Sequence, residues 1–193
     1  MFRRRFLLWL SSVVALPASA RAVTRFVRRS QRNVPSQAQI RALGDAVLPD
    51  ELGRGGREVA SDAFWRWMSG YREGKELVHP YGSPRISYTG PSPVPKWTAQ
   101  LTALDRAARA NHGAEFSGLD AGKRRDLVRE ALADVRGERL PNIATASHIA
   151  LGLLAHFYSS SEANDLCYRA QIGRQKCRPL VHNARKPLPI AAP

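Results

Sequence analysis

The sequence predicts an all-α fold, a single-domain bundle of about five or six helices carrying one long Pro-rich loop and an extended C-terminal tail. Three observations lead there. Apolar residues recur at three- and four-residue spacing along most of the chain, and no alternating strand pattern persists. Helix punctuation falls between those stretches, with Ser36, Pro49, Gly113 and Pro141 standing where caps and stops belong. Finally, 193 residues of which 44% are hydrophobic suffice for one buried core and are too apolar for a disordered chain. With only 2 cysteines, a disulfide-dense miniprotein is excluded as well.

The chain divides into residues 1–22, a basic lead-in over 23–35, a helical body over 36–180 and a Pro-rich tail over 181–193. Residues 1–22 have the three-part layout of an export signal. Arg3, Arg4 and Arg5 precede an apolar run from Phe6 to Leu16, and both Ala18-Ser19-Ala20 and Ala20-Arg21-Ala22 fit an A-x-A cleavage site. The run is shorter than the roughly 20 residues that a spanning helix needs. Arg3, Arg4, Phe6 and Leu7 together resemble the twin-arginine signal, an address read by the translocase that carries folded proteins. Retention of the segment as an uncleaved anchor, or as a basic start lying on a membrane, stays open.

Charge is strongly biased, with 30 Lys and Arg against 16 Asp and Glu, a formal +14. The arginines are scattered, however, and no zinc finger, Gly-rich recognition loop or aromatic-interleaved basic stripe accompanies them. Nucleic acid is therefore not the expected partner. What the charge does predict is attraction to acidic surfaces, either a partner subunit or anionic lipid. Its densest patch is Arg25, Arg28, Arg29 and Arg32 in the lead-in.

Ser36 caps a first helix to about Val47, with Ile40, Leu43 and Val47 on one face, and Pro49 ends it. Gly53-Arg54-Gly55-Gly56 reads as a turn. A second helix over about 57–72 buries Val59, Phe64, Trp67, Met68 and Tyr71. Residues 73–95 contain too many prolines and glycines for a helix or central strand. A loop this long is usually functional or disordered; Val78, Tyr81, Ile86 and Tyr88 give it side chains to bury, so it reads as an ordered excursion, either one that contacts a partner or a loop packed on the surface. A helix follows from Lys96 to about Asn111, with Trp97, Leu101, Leu104 and Ala108 inward and Gly113 as its stop. Another runs from about Asp120 to Val135 through Leu127, Val128 and Leu132. Pro141 opens the most apolar helix, about 142–158, carrying Ile143, Ile149, Ala150, Leu153, Leu154 and Phe157. Ser159-x-x-Glu162 has capping-box form and starts a short helix to about Ala170.

Chemistry is sparse along this chain. In an exported protein Cys167 and Cys177 are expected to form a disulfide, since two thiols ten residues apart make a poor zinc site. His148 and His156 share one helix about 12 Å apart along its axis, too far to bind one metal. They read as core-edge or interface histidines; His79, His112 and His182 have nothing converging on them. Phosphate-loop, dinucleotide, c-type haem and nucleophile-elbow motifs are all absent. The residues alone point to no catalytic group, no metal and no cofactor held by this chain.

The C-terminal half carries the most specific pattern. The stretch from His148 through Glu162 to Cys167, followed by Ile172-Gly-Arg and Cys177-Arg-Pro-Leu180, resembles the gluconate 2-dehydrogenase subunit 3 family. Gly90-Pro-Ser-Pro-Val-Pro-Lys-Trp97, Leu104-Asp105, His112-Gly-Ala-Glu-Phe116 and the early Leu48-Pro49-Asp50 fit the same pattern, so the resemblance spans about 36–180. It implies a small accessory subunit without catalytic residues of its own. In such an oxidoreductase complex a large subunit carries FAD and oxidises a sugar or sugar acid, and a cytochrome c subunit usually passes the electrons on. The small subunit binds the flavoprotein and supplies the export signal for both. The implied location is the periplasm, at the inner membrane through the complex. Tyr81, Tyr88 and Trp97, in and beside the Pro-rich loop, are the expected contact residues. The alternative is a stand-alone exported helical envelope protein that binds anionic lipid or another acidic partner.

Overall fold

Ser36 begins the first helix, α1 (Gln37–Val47), through a complete capping box. Gln39 N donates to Ser36 Oγ at 3.2 Å, and Ser36 N donates to Gln39 Oε1 at 3.1 Å. The computed structural model describes residues 34–77, 86–137, 139–170, 172 and 189. Among these the α-helices are α1, α2 (Gly53–Gly70), α3 (Val94–His112), α4 (Ala121–Ala131), α5 (Ile149–Tyr158) and α6 (Ser161–Tyr168). Pairing between extended segments is confined, among the described residues, to the isolated bridges Glu76–Tyr88 and Ala170–Pro189. The all-α class and the helix number expected from periodicity are therefore what the chain adopts.

Helix α1 lies at the centre, packed against α2, α4 and α5; α5 also rests on α2 and α3, and α6 closes over α5. The inward residues expected on α1 and α3 are the observed ones: Ile40, Leu43, Trp97, Leu101, Leu104 and Ala108 are all buried. Phe64, Met68, Ile149, Leu153 and Phe157 complete the centre. Removing each such side chain from water stabilises the fold by about 1.5–3 kcal/mol. Two glycines permit close approach. A Cβ on Gly152 would stand 2.7 Å from Trp97 Cζ2, and a Cβ on Gly44 would overlap the Ser61 hydroxyl. An Arg41–Asp62 pair, bonded at 2.8 and 2.7 Å, ties α1 to α2 at the surface and holds the Asp62 carboxyl down at about 2.

Several expected boundaries are corrected. The turn at Gly53–Gly56 contracts to a junction: Asp50–Leu52 forms a 3-10 turn, Gly53 takes φ 63, and the chain enters α2 at once. Gly55 and Gly56 are helical despite low propensity, because the long packed helix outweighs about 1 kcal/mol per glycine. Val59, expected inside, is 63% exposed. Helix α3 starts two residues early, since Pro95 in its first turn lacks only an N–H that would be unbonded there. Helix α4 stops at Ala131, with Leu132 as C-cap.

The expected helix over 142–158 is two elements, a 3-10 turn at Ile143–Thr145 and α5 from Ile149. Side chains hold the break. His148 Nδ1 accepts from Ala150 N at 3.2 Å, capping α5. Gln100 on α3 clamps the same point: its Oε1 accepts from Ile149 N at 2.9 Å and its Nε2 donates to Ser147 O at 2.8 Å. The cap of α6 is Ser160 rather than Ser159, with Ser160 Oγ accepting from Ala163 N at 3.2 Å.

Candidate functional site

The Pro-rich segment after α2 is ordered at its base as a hairpin. Gly74, at φ 70, turns the chain outward. Gly74 N donates to Thr89 O at 3.0 Å, Thr89 N to Lys75 O at 2.8 Å, and Leu77 N to Ser87 O at 2.8 Å, flanking the antiparallel Glu76–Tyr88 bridge. Side chains then staple the base to the body. Thr89 Oγ1 donates to Arg72 O and accepts from Lys75 N, Glu73 Oε2 accepts from Ser92 N, and the Tyr71 hydroxyl donates to Gly90 O at 2.9 Å.

Successive side chains on an extended strand alternate between faces, so Ile86 and Tyr88 share one face of this hairpin. Each is 57% exposed, and Leu77 is also exposed. The expectation that Ile86 and Tyr88 bury themselves against the body is thus corrected: pairing satisfies the backbone while the apolar side chains stay in water. For Tyr88 this is compatible with the expected contact role. Trp97, by contrast, is 0% exposed and belongs to the core. Its ring packs on Gly152 and its Nε1 donates to Ala146 O at 3.5 Å, so it is removed from the contact residues.

Behind the hairpin base lies an aromatic cluster. Trp67 stacks parallel to Phe64 at 6.0 Å, meets the Tyr71 ring edge-on at 5.3 Å and lies 6.0 Å from Trp97. The His156 ring sits 5.5 Å from Phe64 and 6.3 Å from Trp67. Burial among these rings lowers the His156 pKa, because the charged imidazolium is the form an apolar site disfavours. His148 is lowered first by burial and then by the nearby Lys96 charge. His148 is buried and His156 half-buried, which places both at the edge of the core. Tyr71 connects the two regions, with its ring on the cluster and its hydroxyl on the hairpin.

Cys167 lies exposed on α6, and the expected bridge to Cys177 falls outside the described residues. Cys177, Tyr81 and the export-signal residues Arg3, Arg4, Phe6 and Leu7 lie outside the described residues. Among the described residues no group of three or more His, Cys, Asp or Glu is placed to hold a metal ion. Likewise no helix among them is long and apolar enough to cross a membrane.

Sequence reasoning missed a second surface feature. The connection from α4 to α5 borders an open groove of about 440 Å³ whose lining mixes Leu132, Val135, Leu140 and Leu151 with Arg136 and Arg139. The available signal was Leu132, Val135 and Leu140 falling among glycine, arginine and proline at a helix end, where they cannot all turn inward. Comparison with protein-family models, curated proteins and solved structures gives no match to this chain.

Proposed function

We propose that this chain is a non-catalytic accessory subunit of a gluconate 2-dehydrogenase-like oxidoreductase. It binds the folded, FAD-containing large subunit and escorts it through twin-arginine export into the periplasm. A cytochrome c subunit, where the complex includes one, then takes electrons from the flavoprotein. The observation that carries the reading is the stapled hairpin, which holds the apolar side chains Ile86 and Tyr88 in water. Exposed aromatic and aliphatic side chains on a fixed support are the usual anchors of a protein interface. A stable contact with a large subunit would bury about 800 Å² on each partner. The motif resemblance over 36–180 supplies the identity of that partner, and the twin-arginine-type start supplies the route.

The test is affinity purification of the tagged chain from its native membrane fraction at moderate salt, with the visible spectrum recorded. The expected eluate contains a large chain in stoichiometric amount with a flavin spectrum, and Ile86→Ser with Tyr88→Ala lowers its recovery about tenfold. A colourless protein that elutes alone, or that salt washes release from the membrane by itself, overturns the proposal in favour of an envelope protein held on anionic lipid.

A further inference from the structure

We infer that the outer edge of the hairpin at Ile86 and Tyr88 takes an extended segment of the large partner subunit, added as a third strand. The inference rests on the accessory-subunit reading and names the form of the contact. Register fixes which backbone groups are on offer. Leu77 N donates to Ser87 O and Thr89 N to Lys75 O, so Ser87 and Thr89 turn these groups toward the first strand. Tyr88, between them, forms a non-hydrogen-bonded pair with Glu76, and in such a pair a residue's own N–H and C=O point away from the opposite strand. The same alternation puts the N–H and C=O of Ile86 on the outer edge beside those of Tyr88. Among the described residues no hydrogen bond uses these four groups. At Gly90 the edge closes against the body, where the Tyr71 hydroxyl donates to the Gly90 carbonyl.

That edge states what it can bind. Two donors and two acceptors at strand spacing are matched together by another extended backbone, whereas a helix uses its own N–H and C=O groups internally. Addition of a strand draws affinity from main-chain bonds and selectivity from alternate side chains. The side chains of Ile86 and Tyr88, each 57% exposed on one face, would sit beside apolar side chains of the added strand. A second copy of this chain brings only the same two-residue edge, against the about 800 Å² per partner that a stable contact needs. A large subunit supplies the remaining surface from its own body.

The test compares Tyr88→Ala with Tyr88→Pro, each as the tagged full chain purified from its native membrane fraction. Both variants lose the ring, but only proline removes the outward N–H, and proline is tolerated where a strand edge faces solvent. Because that N–H carries no hairpin bond, amide exchange at Leu77 and Thr89 should be as slow in Tyr88→Pro as in Tyr88→Ala. Recovery of the flavin-bearing large chain should fall at least about tenfold further in Tyr88→Pro. In the wild-type chain alone the Ile86 and Tyr88 amides should exchange fast, and in the complex they should slow. Equal recovery in the two variants, or no slowing of those amides in the complex, overturns the added strand and leaves the accessory reading standing. Where proline also speeds exchange at Thr89, the slowing of the wild-type amides decides. A wild-type chain that elutes alone overturns both. Slow exchange at Ile86 and Tyr88 in the isolated chain, or self-association that Tyr88→Pro abolishes, assigns the edge to this chain itself and overturns the inference.

Discussion

Gly44 and Ser61 set how closely α1 and α2 cross, and the pair gives a quantitative test of that packing. A Cβ placed on Gly44 would overlap Ser61 Oγ, lie 3.2 Å from Ser61 Cβ and lie 3.4 Å from Leu48 Cδ1. Ser61 is fully buried, and its hydroxyl is held by donation to Arg57 O at 2.7 Å. Two effects therefore compete in Gly44→Ala. Helix propensity favours alanine by about 1 kcal/mol. Overpacking against a buried, hydrogen-bonded hydroxyl costs about 1–3 kcal/mol. The steric term wins, for a net loss of about 1 kcal/mol or more. Ser61→Ala removes the oxygen and costs about 1 kcal/mol for the lost bond. In that background Gly44→Ala meets only the Ser61 Cβ, a tight but tolerable contact, and its effect should fall close to zero. The four proteins, unfolded in urea and followed by circular dichroism, should show a coupling of about 1–2 kcal/mol. Additive effects, or stabilisation by Gly44→Ala alone, would refute the close crossing.

The buried His148 and half-buried His156 give the fold a pH dependence. Because the folded state lowers both the His148 and His156 pKa values, the unfolded chain binds protons first. Their contribution is complete above the ordinary value of 6.5 and is lost as pH falls below it, with a slope of up to about 1.4 kcal/mol per pH unit for each group. His148→Asn keeps a cap acceptor without a titrating ring, so it should flatten this loss in urea titrations from neutral to mildly acidic pH. Gln100→Leu should destabilise the chain by about 1–3 kcal/mol and speed amide exchange at Ile149, whose N–H loses its acceptor. With reductant present, the exposed Cys167 thiol should be alkylated by iodoacetamide in the folded protein at a rate close to that of the unfolded chain, as read by peptide mass mapping.

Helix identity was legible wherever one local signal decided it. Ser36 with Gln39 wrote the start of α1, Gly113 at φ 69 wrote the end of α3, and the Trp97–Leu101–Leu104–Ala108 spacing wrote the buried face between. What local pattern could not supply were features decided by distant residues. The interruption at 146–148 depends on Gln100, far away in sequence, bonding Ser147 and Ile149. Tyr88 and Trp97 illustrate the same limit at the candidate site. Both are aromatic and both flank the Pro-rich segment, yet only the fold distinguishes a side chain facing water from one under Gly152.

The doubly stapled hairpin base also makes this chain a carrier into which sequence can be inserted. Thr89 and Tyr71 fix the two strand ends on the body whatever lies between Leu77 and Ile86. Loop-closure entropy grows only logarithmically, so doubling the length of the connecting segment costs about 0.6 kcal/mol. Epitope tags or reporter peptides spliced there would be displayed on a short rigid stem, with the helical core beneath them unaltered.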